Sequence, residues 1–439
     1  MVFSRLFGKG DAPEPDRDTD DAESDDFTGA DDGADDGAPE ESSETPWRER
    51  AMAVLPTGSS TGSKRMEALW GAADAHAPSH YLRASGCRVT TTGGHELIDC
   101  TMALGSVAIG YADERITGSV VAAMAGGSVS GLPHALEVVV AERFSEMVPC
   151  AEKVQFLKTG AEAVLAAVRL ARTYTGRSRV IGSGYFGWLD WCSSEAGVPP
   201  GAQAAFEKVP FGDIAALERA ASSAGSDLAA IVIEPVVERM APEGWIARAR
   251  ELTTAAGAAL IFDEVKTGFR LRPGGYQELS GITPDLAAFG KAMANGQPLA
   301  AVCGRADLMD AARKTWISST LAGEATALAA AEAVMLLHSE RDVCAELAKI
   351  GAGMRTAIGN ALRASRLEGV TVEGIDPMWF LRFESPELES RFLVAAAAHG
   401  LLLKKGPYNF ASLAHDPETI HEIEATASNA LVALRDEDE

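Results

Sequence analysis

Short apolar runs alternate with helical patterns through the middle of the chain. Strand-like runs fall at 153–157, 179–181, 228–233, 259–262, 286–289 and 299–302. Between them lie long stretches rich in Ala, Leu and Arg, at 161–174, 246–256 and 326–337, that read as helices. Strands alternating with helices predict an α/β fold with a mainly parallel sheet covered on both faces. Ahead of this block, 87–90 and 97–100 are shorter strand-like runs divided by glycine-rich turns. Behind it, from about Ser339, come two or three helices and short strands, among them 378–383. The pattern predicts a large domain over 111–338, with 46–110 and 339–439 contributing to a smaller α+β domain. The chain has no internal repeat.

Composition changes this picture at one end only. The 439 residues are 46% hydrophobic and 23% charged, ample for a large core. The net charge of −24 is uneven: residues 1–45 hold 16 acidic and 3 basic side chains, against 47 and 36 in the rest. Residues 10–45 have almost no large apolar residue, and 1–45 is expected to be a disordered acidic tail. Its alternative role is a docking segment for a basic partner, with Phe3, Leu6 and Phe7 as an apolar hook.

The body lacks the clustered Lys and Arg of a nucleic-acid surface, so no nucleic-acid partner is expected. No apolar run reaches the ~18 residues of a membrane span. The start of the chain is too short for a signal sequence, which leaves a cytoplasmic protein as the expectation. Six scattered cysteines without a Cys-x-x-Cys pair read as reduced thiols. His76 and His80 flank Pro78, which breaks the helix that metal-ligand spacing needs, so no metal is expected.

Four segments fall at the C-terminal ends of strands, where open α/β sheets bind ligands. At Thr159-Gly160-Ala161 a strand turns into a helix, and its free N–H groups suit a phosphate or simply a capped helix start. The aromatic cluster from Gly184 to Trp191 can lay a ring on a flat cofactor or serve as core packing. Asp263 ends the run Ala259-Leu260-Ile261-Phe262, and a carboxylate buried there needs a cation. That cation is a protonated pyridine nitrogen or Arg270, unless the carboxylate caps a helix. Lys291, set among Ala288-Phe289-Gly290 and Ala292-Met293-Ala294, gives up solvation that a surface lysine keeps. A desolvated lysine at a strand end can hold a carbonyl cofactor as a Schiff base. Lysine and strand-end aspartate together are the pair that pyridoxal 5'-phosphate requires, one for the aldehyde and one for the ring nitrogen. Lys266 is the rival amine, but it stands only three residues from Asp263 and could not easily reach the far side of the same ring.

These residues resemble the class III (subgroup II) pyridoxal phosphate-dependent aminotransferases of fold type I. The branch is that of the glutamate-1-semialdehyde aminomutases and their aminotransferase relatives. Ile261-Phe262-Asp263-Glu264-Val265-Lys266-Thr267-Gly268-Phe269-Arg270 carries the likeness, with Thr283-Pro284-Asp285-Leu286 leading to Gly290-Lys291. It runs from about Leu55 to the C-terminus. It implies a large domain with a mainly parallel, seven-stranded type of sheet beside a smaller α+β domain.

The resemblance also implies roles. Lys291 would form the internal aldimine and move protons between substrate and cofactor. Asp263 would bind the pyridinium nitrogen, Val265 would pack under the ring, and Tyr185 would stack on its other face. Thr159, Gly160 and Ala161 would hold the phosphate. Thr320, in the segment from Ser318 to Glu324, would reach the neighbouring subunit's phosphate, which implies a homodimer with shared active sites. Glu234, in Ile233-Glu234-Pro235, lies near the site. Ser130 and His134 belong to a segment lining the entrance, and Lys64 stands where aminomutases carry a carboxylate-binding arginine. Two positions depart from the family pattern: Phe186 replaces a histidine, and Leu321-Ala322-Gly323-Glu324 differs in part. The implied activity is transfer of an amino group between an amino acid or amine donor and an oxo acceptor. The alternatives are a 2,1-aminomutase of the glutamate-1-semialdehyde type and a non-catalytic interaction protein of the same fold.

Overall fold

Seven strands form the central sheet of the computed structural model, which describes residues 45–71, 77–242 and 244–438. In chain order they are β1 (Lys153–Leu157), β2 (Arg179–Ser183), β3 (Phe206–Lys208), β4 (Leu228–Ile233), β5 (Ala259–Asp263), β6 (Leu286–Phe289) and β7 (Ala300–Gly304). Their spatial order is β1-β7-β6-β5-β4-β2-β3. All run parallel except β7, which is antiparallel to both β6 and β1. The acidic tail expected over residues 1–45 lies outside the described residues, apart from Thr45, which opens the helix Thr45–Val54.

Every residue of β4, β5, β6 and β7 is buried. Their uninterrupted apolar runs follow from this, because a parallel sheet covered by helices has no wet face. The helix Gly160–Thr175 covers it with Ala163, Ala167, Val168 and Ala171, small side chains that let helix and sheet approach closely. Edge strand β3 shows no such run. Its Phe-Glu-Lys sequence is half wet, which is why the apolar pattern omits it.

Two smaller sheets draw on distant parts of the chain. Tyr81–Ser85, Arg88–Thr91 and Glu96–Asp99 form a meander to which Leu401–Leu402 adds in parallel. Val370–Ile375, Met378–Phe383 and Asn409–Phe410 form a three-stranded antiparallel sheet. No helix among the described residues is long and apolar enough to cross a membrane.

The turn after β5 is fixed by buried polar groups. The Glu264 carboxylate accepts the N–H groups of Tyr276 (2.9 Å) and Gln277 (3.1 Å) and the Thr267 hydroxyl. Arg270 is fully buried and donates to the carbonyls of Gly105 (2.8 Å) and Ala411 (3.0 Å), its guanidinium lying 4.8 Å from the Phe410 ring. Both terminal nitrogens of Arg270 are thus engaged away from Asp263.

Candidate active site

Asp263 ends β5, and Lys291 follows the end of the adjacent strand β6. The two strands are parallel, with Asp263 opposite Ala288, so both residues emerge on the same edge of the sheet. The Asp263 side chain is 6% exposed, and its Oδ1 accepts the Val265 N–H at 3.0 Å. Burial and the nearby charge of Glu234 push its carboxyl up to about 7. Lys291 is half-buried, and its amine has no hydrogen-bond or ion-pair partner among the described residues. Burial, helped by the positive charge of Lys266, pulls it down to about 8.

Val265 joins these groups to the turn after β1. A Cβ added at Gly160 would stand 2.8 Å from Val265 Cγ1, and one at Gly290 would stand 3.5 Å from it. Val265 therefore lies against both the helix start and the residue before Lys291. At that helix start, Thr159 and Glu162 form a capping box in which the Glu162 carboxylate accepts the Thr159 N–H (2.9 Å) and hydroxyl (3.1 Å). The expected trio of phosphate donors is thereby narrowed. Thr159 is committed to the cap, and the N–H groups of Gly160 and Ala161 remain at the positive end of a 16-residue helix.

The loop after β2 closes on the same place. Gly184, at φ +141, packs against Glu234, and Gly187, at φ +94, packs against Ala161; a Cβ would meet either neighbour at 2.4 Å. The loop thus holds Tyr185 72% exposed, with its N–H donated to Glu234 Oε2 at 3.0 Å. Phe186 turns the other way, into the core, where its ring stacks on Trp191 and meets Phe206 edge-on. Glu234 is also ion-paired with Lys266, whose amine lies 4.2 Å from the Tyr408 ring. Burial works against the Lys266 charge, but Glu234 and Tyr408 outweigh it and its pKa is raised. The rival amine is thus a paired cation, while Lys291 is the unpaired one.

Ser130, His134 and Thr320 line one cavity of about 340 Å³ between residues 127–134 and 317–323. The Ser130 hydroxyl closes its own turn onto Leu132, and His134 Nδ1 caps the next helix by accepting the Leu136 N–H. An ion pair of 2.8 Å between Lys158 and Glu324 ties this wall to the Thr159 turn. Lys64 is not brought to the group: it stands exposed on the short turn Gly62–Lys64, without a hydrogen bond or ion pair to it. No cluster of His, Cys, Asp and Glu among the described residues could hold a metal.

The arrangement suits pyridoxal phosphate on three counts. Among the described residues it offers an amine without an ion pair for an aldehyde, a buried carboxyl without a salt bridge for a ring nitrogen, and N–H groups at a helix start for a phosphate. The Lys266–Glu234 pair and the turn that carries Lys291 had no signal in the sequence beyond residue type. The lowered Lys291 value yields a pH prediction. In the cofactor-free protein, aldehyde labelling of Lys291 followed by borohydride reduction should be half-maximal near pH 8, and Lys266→Met should move that midpoint upward. A midpoint near the ordinary 10.5 would show that Lys291 is solvated.

Residues 71–415 match the family described as aminotransferase class-III. The 3-aminobutyryl-CoA aminotransferase of Cloacimonas acidaminovorans is 30% identical over 364 residues, covering 78% of this chain and 86% of that protein. A glutamate-1-semialdehyde 2,1-aminomutase of Methanothermobacter thermautotrophicus is 32% identical over 423 residues, covering 88% and 98%. Among solved structures, the PLP internal aldimine form of the FumI protein of Sphingopyxis sp. MTA144 aligns with a TM-score of 0.84 at 27% identity, over 90% of this chain and 97% of that one.

Proposed function

Because the chain belongs to the class-III aminotransferase family, whose members depend on pyridoxal phosphate, we propose that Lys291 and Asp263 are the centre of an amino-transfer site. The chain is an aminotransferase, moving an amino group between an amino acid or amine donor and an oxo acceptor. The observation that carries the site assignment is the contact of Val265 with both Gly160 and Gly290, which gathers the carboxylate, the amine and the phosphate turn around one side chain.

When bound, the cofactor supplies an aldehyde that takes up the amino group and a ring that accepts electrons from the substrate carbon. Lys291 Nζ is the amine that would hold that aldehyde, and as a free amine it would take and return the proton at the substrate carbon. Asp263 would hold the ring nitrogen protonated, and Val265 and Tyr185 would pack on the ring. Gly160 and Ala161 would donate to the phosphate, with Thr159 capping their helix. Glu234 holds Tyr185 through its N–H and keeps Lys266 paired.

We assign Thr320 to the phosphate of a second copy of the chain, in a homodimer. The exposed apolar residues Val121, Met124, Val129, Leu132 and Leu321, on and beside the cavity that Thr320 lines, support that assignment. Ser130 and His134 would line its mouth, with Lys64 beside the substrate carboxylate once the dimer forms. The pairing of Leu401–Leu402 with Glu96–Asp99 supports reading 46–110 and 339–439 as one smaller domain beside 111–338. Six unpaired cysteines support a reducing, cytoplasmic setting.

A second reading, an aminomutase, is favoured by the relative of that name whose length is covered to 98%. Both use the same residues; they differ in whether the aminated product leaves the site. Holoenzyme mixed with single amino donors and no acceptor decides between them. Aminotransferase action releases one equivalent of oxo product per site as the cofactor's visible absorbance falls. Isomerisation of a donor without any released oxo product assigns the mutase.

A further inference from the structure

Lys291 and Asn295 bound one short 3₁₀ turn, Lys291–Ala294, and both are left-handed, at φ +48 and +44. An L-residue adopts that conformation only at an energetic cost. Asparagine adopts it more readily than lysine, so a turn that sets a lysine this way gains from a hold outside it. Around the turn's own 3₁₀ bonding, the backbone adds Met293 N–H to Gly290 (3.1 Å), Asn295 N–H to Ala292 (3.4 Å) and Gln297 N–H to Ala294 (3.0 Å).

The hold comes from the Asn295 side chain. Its Oδ1 accepts the N–H groups of Ala108 (3.0 Å) and Ile109 (2.9 Å), and its Nδ2 donates to the Gly110 carbonyl (2.9 Å). Three consecutive residues of a distant segment thus grip one amide. That segment is itself anchored. Ala108 and Ile109 are buried, the Ala108 carbonyl accepts the Leu413 N–H (2.9 Å), Gly105 accepts Arg270, and Tyr111 exchanges two hydrogen bonds with Gly86. A Cβ added at Gly296 would stand 3.1 Å from Val107, so the turn and the segment are in contact as well as hydrogen-bonded.

We propose that Asn295 is a positioning residue for Lys291, clamping the Lys291–Ala294 turn to residues 108–110 so that the lysine stays left-handed and faces the site. The proposal rests on the reading of Lys291 as the amine that binds the cofactor aldehyde. It differs from a simple left-handed cap, because glycine takes the same φ without cost and would replace a cap but not a clamp.

The test compares Asn295→Gly and Asn295→Asp with the parent holoenzyme and with Lys291→Ala. For Asn295→Gly, kcat falls by about 30- to 100-fold with KM within about threefold, the scale of a misplaced reacting group. In the cofactor-free form of that variant, the midpoint for Lys291 labelling rises by about one pH unit as the amine gains solvent. Asn295→Asp keeps the acceptor for Ala108 and Ile109 but loses the donor to Gly110, and kcat falls by only about 5- to 20-fold. An Asn295→Gly protein with parental kcat and labelling midpoint overturns the proposal. If that variant does not fold, Asn295→Asp at the parental rate overturns it instead. If Lys291→Ala still gives the parental visible band with pyridoxal phosphate, the underlying reading of Lys291 has failed. If Lys291→Ala loses the band while Asn295→Gly behaves as the parent, only the clamp has failed.

Discussion

Lys291→Ala should lower amino-group transfer by about 10⁴-fold or more, on the scale of removing a covalent nucleophile, while the protein remains folded. The fold should survive because the Lys291 amine makes no hydrogen bond or ion pair among the described residues that alanine would leave unanswered. Stability should move the other way. The Lys291 pKa falls from 10.5 to about 8 on folding. Below about pH 8 the lysine is charged in both states, and the folded state bears the full cost of burying that charge. Between 8 and 10.5 the unfolded chain binds the extra proton, so the parent gains stability as pH rises. Cofactor-free Lys291→Ala should therefore melt above the parent at pH 7, with the gap closing towards pH 10.5. Thermal melts across that range, beside single-turnover assays, check both halves. A variant that keeps the parental rate would remove Lys291 from the chemistry.

Asp263→Asn is the second large effect, expected to cost about 10²–10³-fold in kcat, as when a preorganised electrostatic partner is removed. Asparagine preserves the shape and can still accept the Val265 N–H, so the lost quantity is charge. A neutral amide would no longer hold a ring nitrogen protonated, and the ring would accept electrons less readily. Burial and Glu234 already push the parent carboxyl up to about 7, so a cation delivered to it favours its ionised form. Cofactor affinity should fall along with kcat, measured by equilibrium titration of the cofactor-free variant. Activity within about fivefold of the parent would reduce Asp263 to a structural residue.

The sheet was largely legible in the chain, because four of its strands are buried on both faces and so read as unbroken apolar runs. The expected spans 153–157, 228–233 and 286–289 coincide with β1, β4 and β6. Strand β3 was not legible, since a half-wet edge of Phe, Glu and Lys carries no apolar run. Lys291 and Asp263 stood out by local contrast, a charge set beside small or apolar neighbours at a strand end. The capping box was half-legible: Thr159 as an N-cap is visible in sequence, but its N–H bound to Glu162 is known only from the fold. Asn295 gave no signal, because its partners lie at 108–110 and nothing local marks so long a reach. Phe186 shows the opposite error. It stood out as a departure in a functional motif, yet its ring faces Trp191 and Phe206 in the core.

The parallel pairing of Leu401 with Ile98 also sets the order in which the chain can mature. These partners are roughly 300 residues apart, so a closure of that length must precede the contact. At translation speeds of about 5–20 residues per second, Glu96–Asp99 leaves the ribosome some 15–60 s before Leu401–Leu402 is made. Through that interval the meander of Tyr81–Ser85, Arg88–Thr91 and Glu96–Asp99 carries an open edge that another chain could occupy. The nascent protein therefore has to protect its first sheet until almost its last helix has been synthesised.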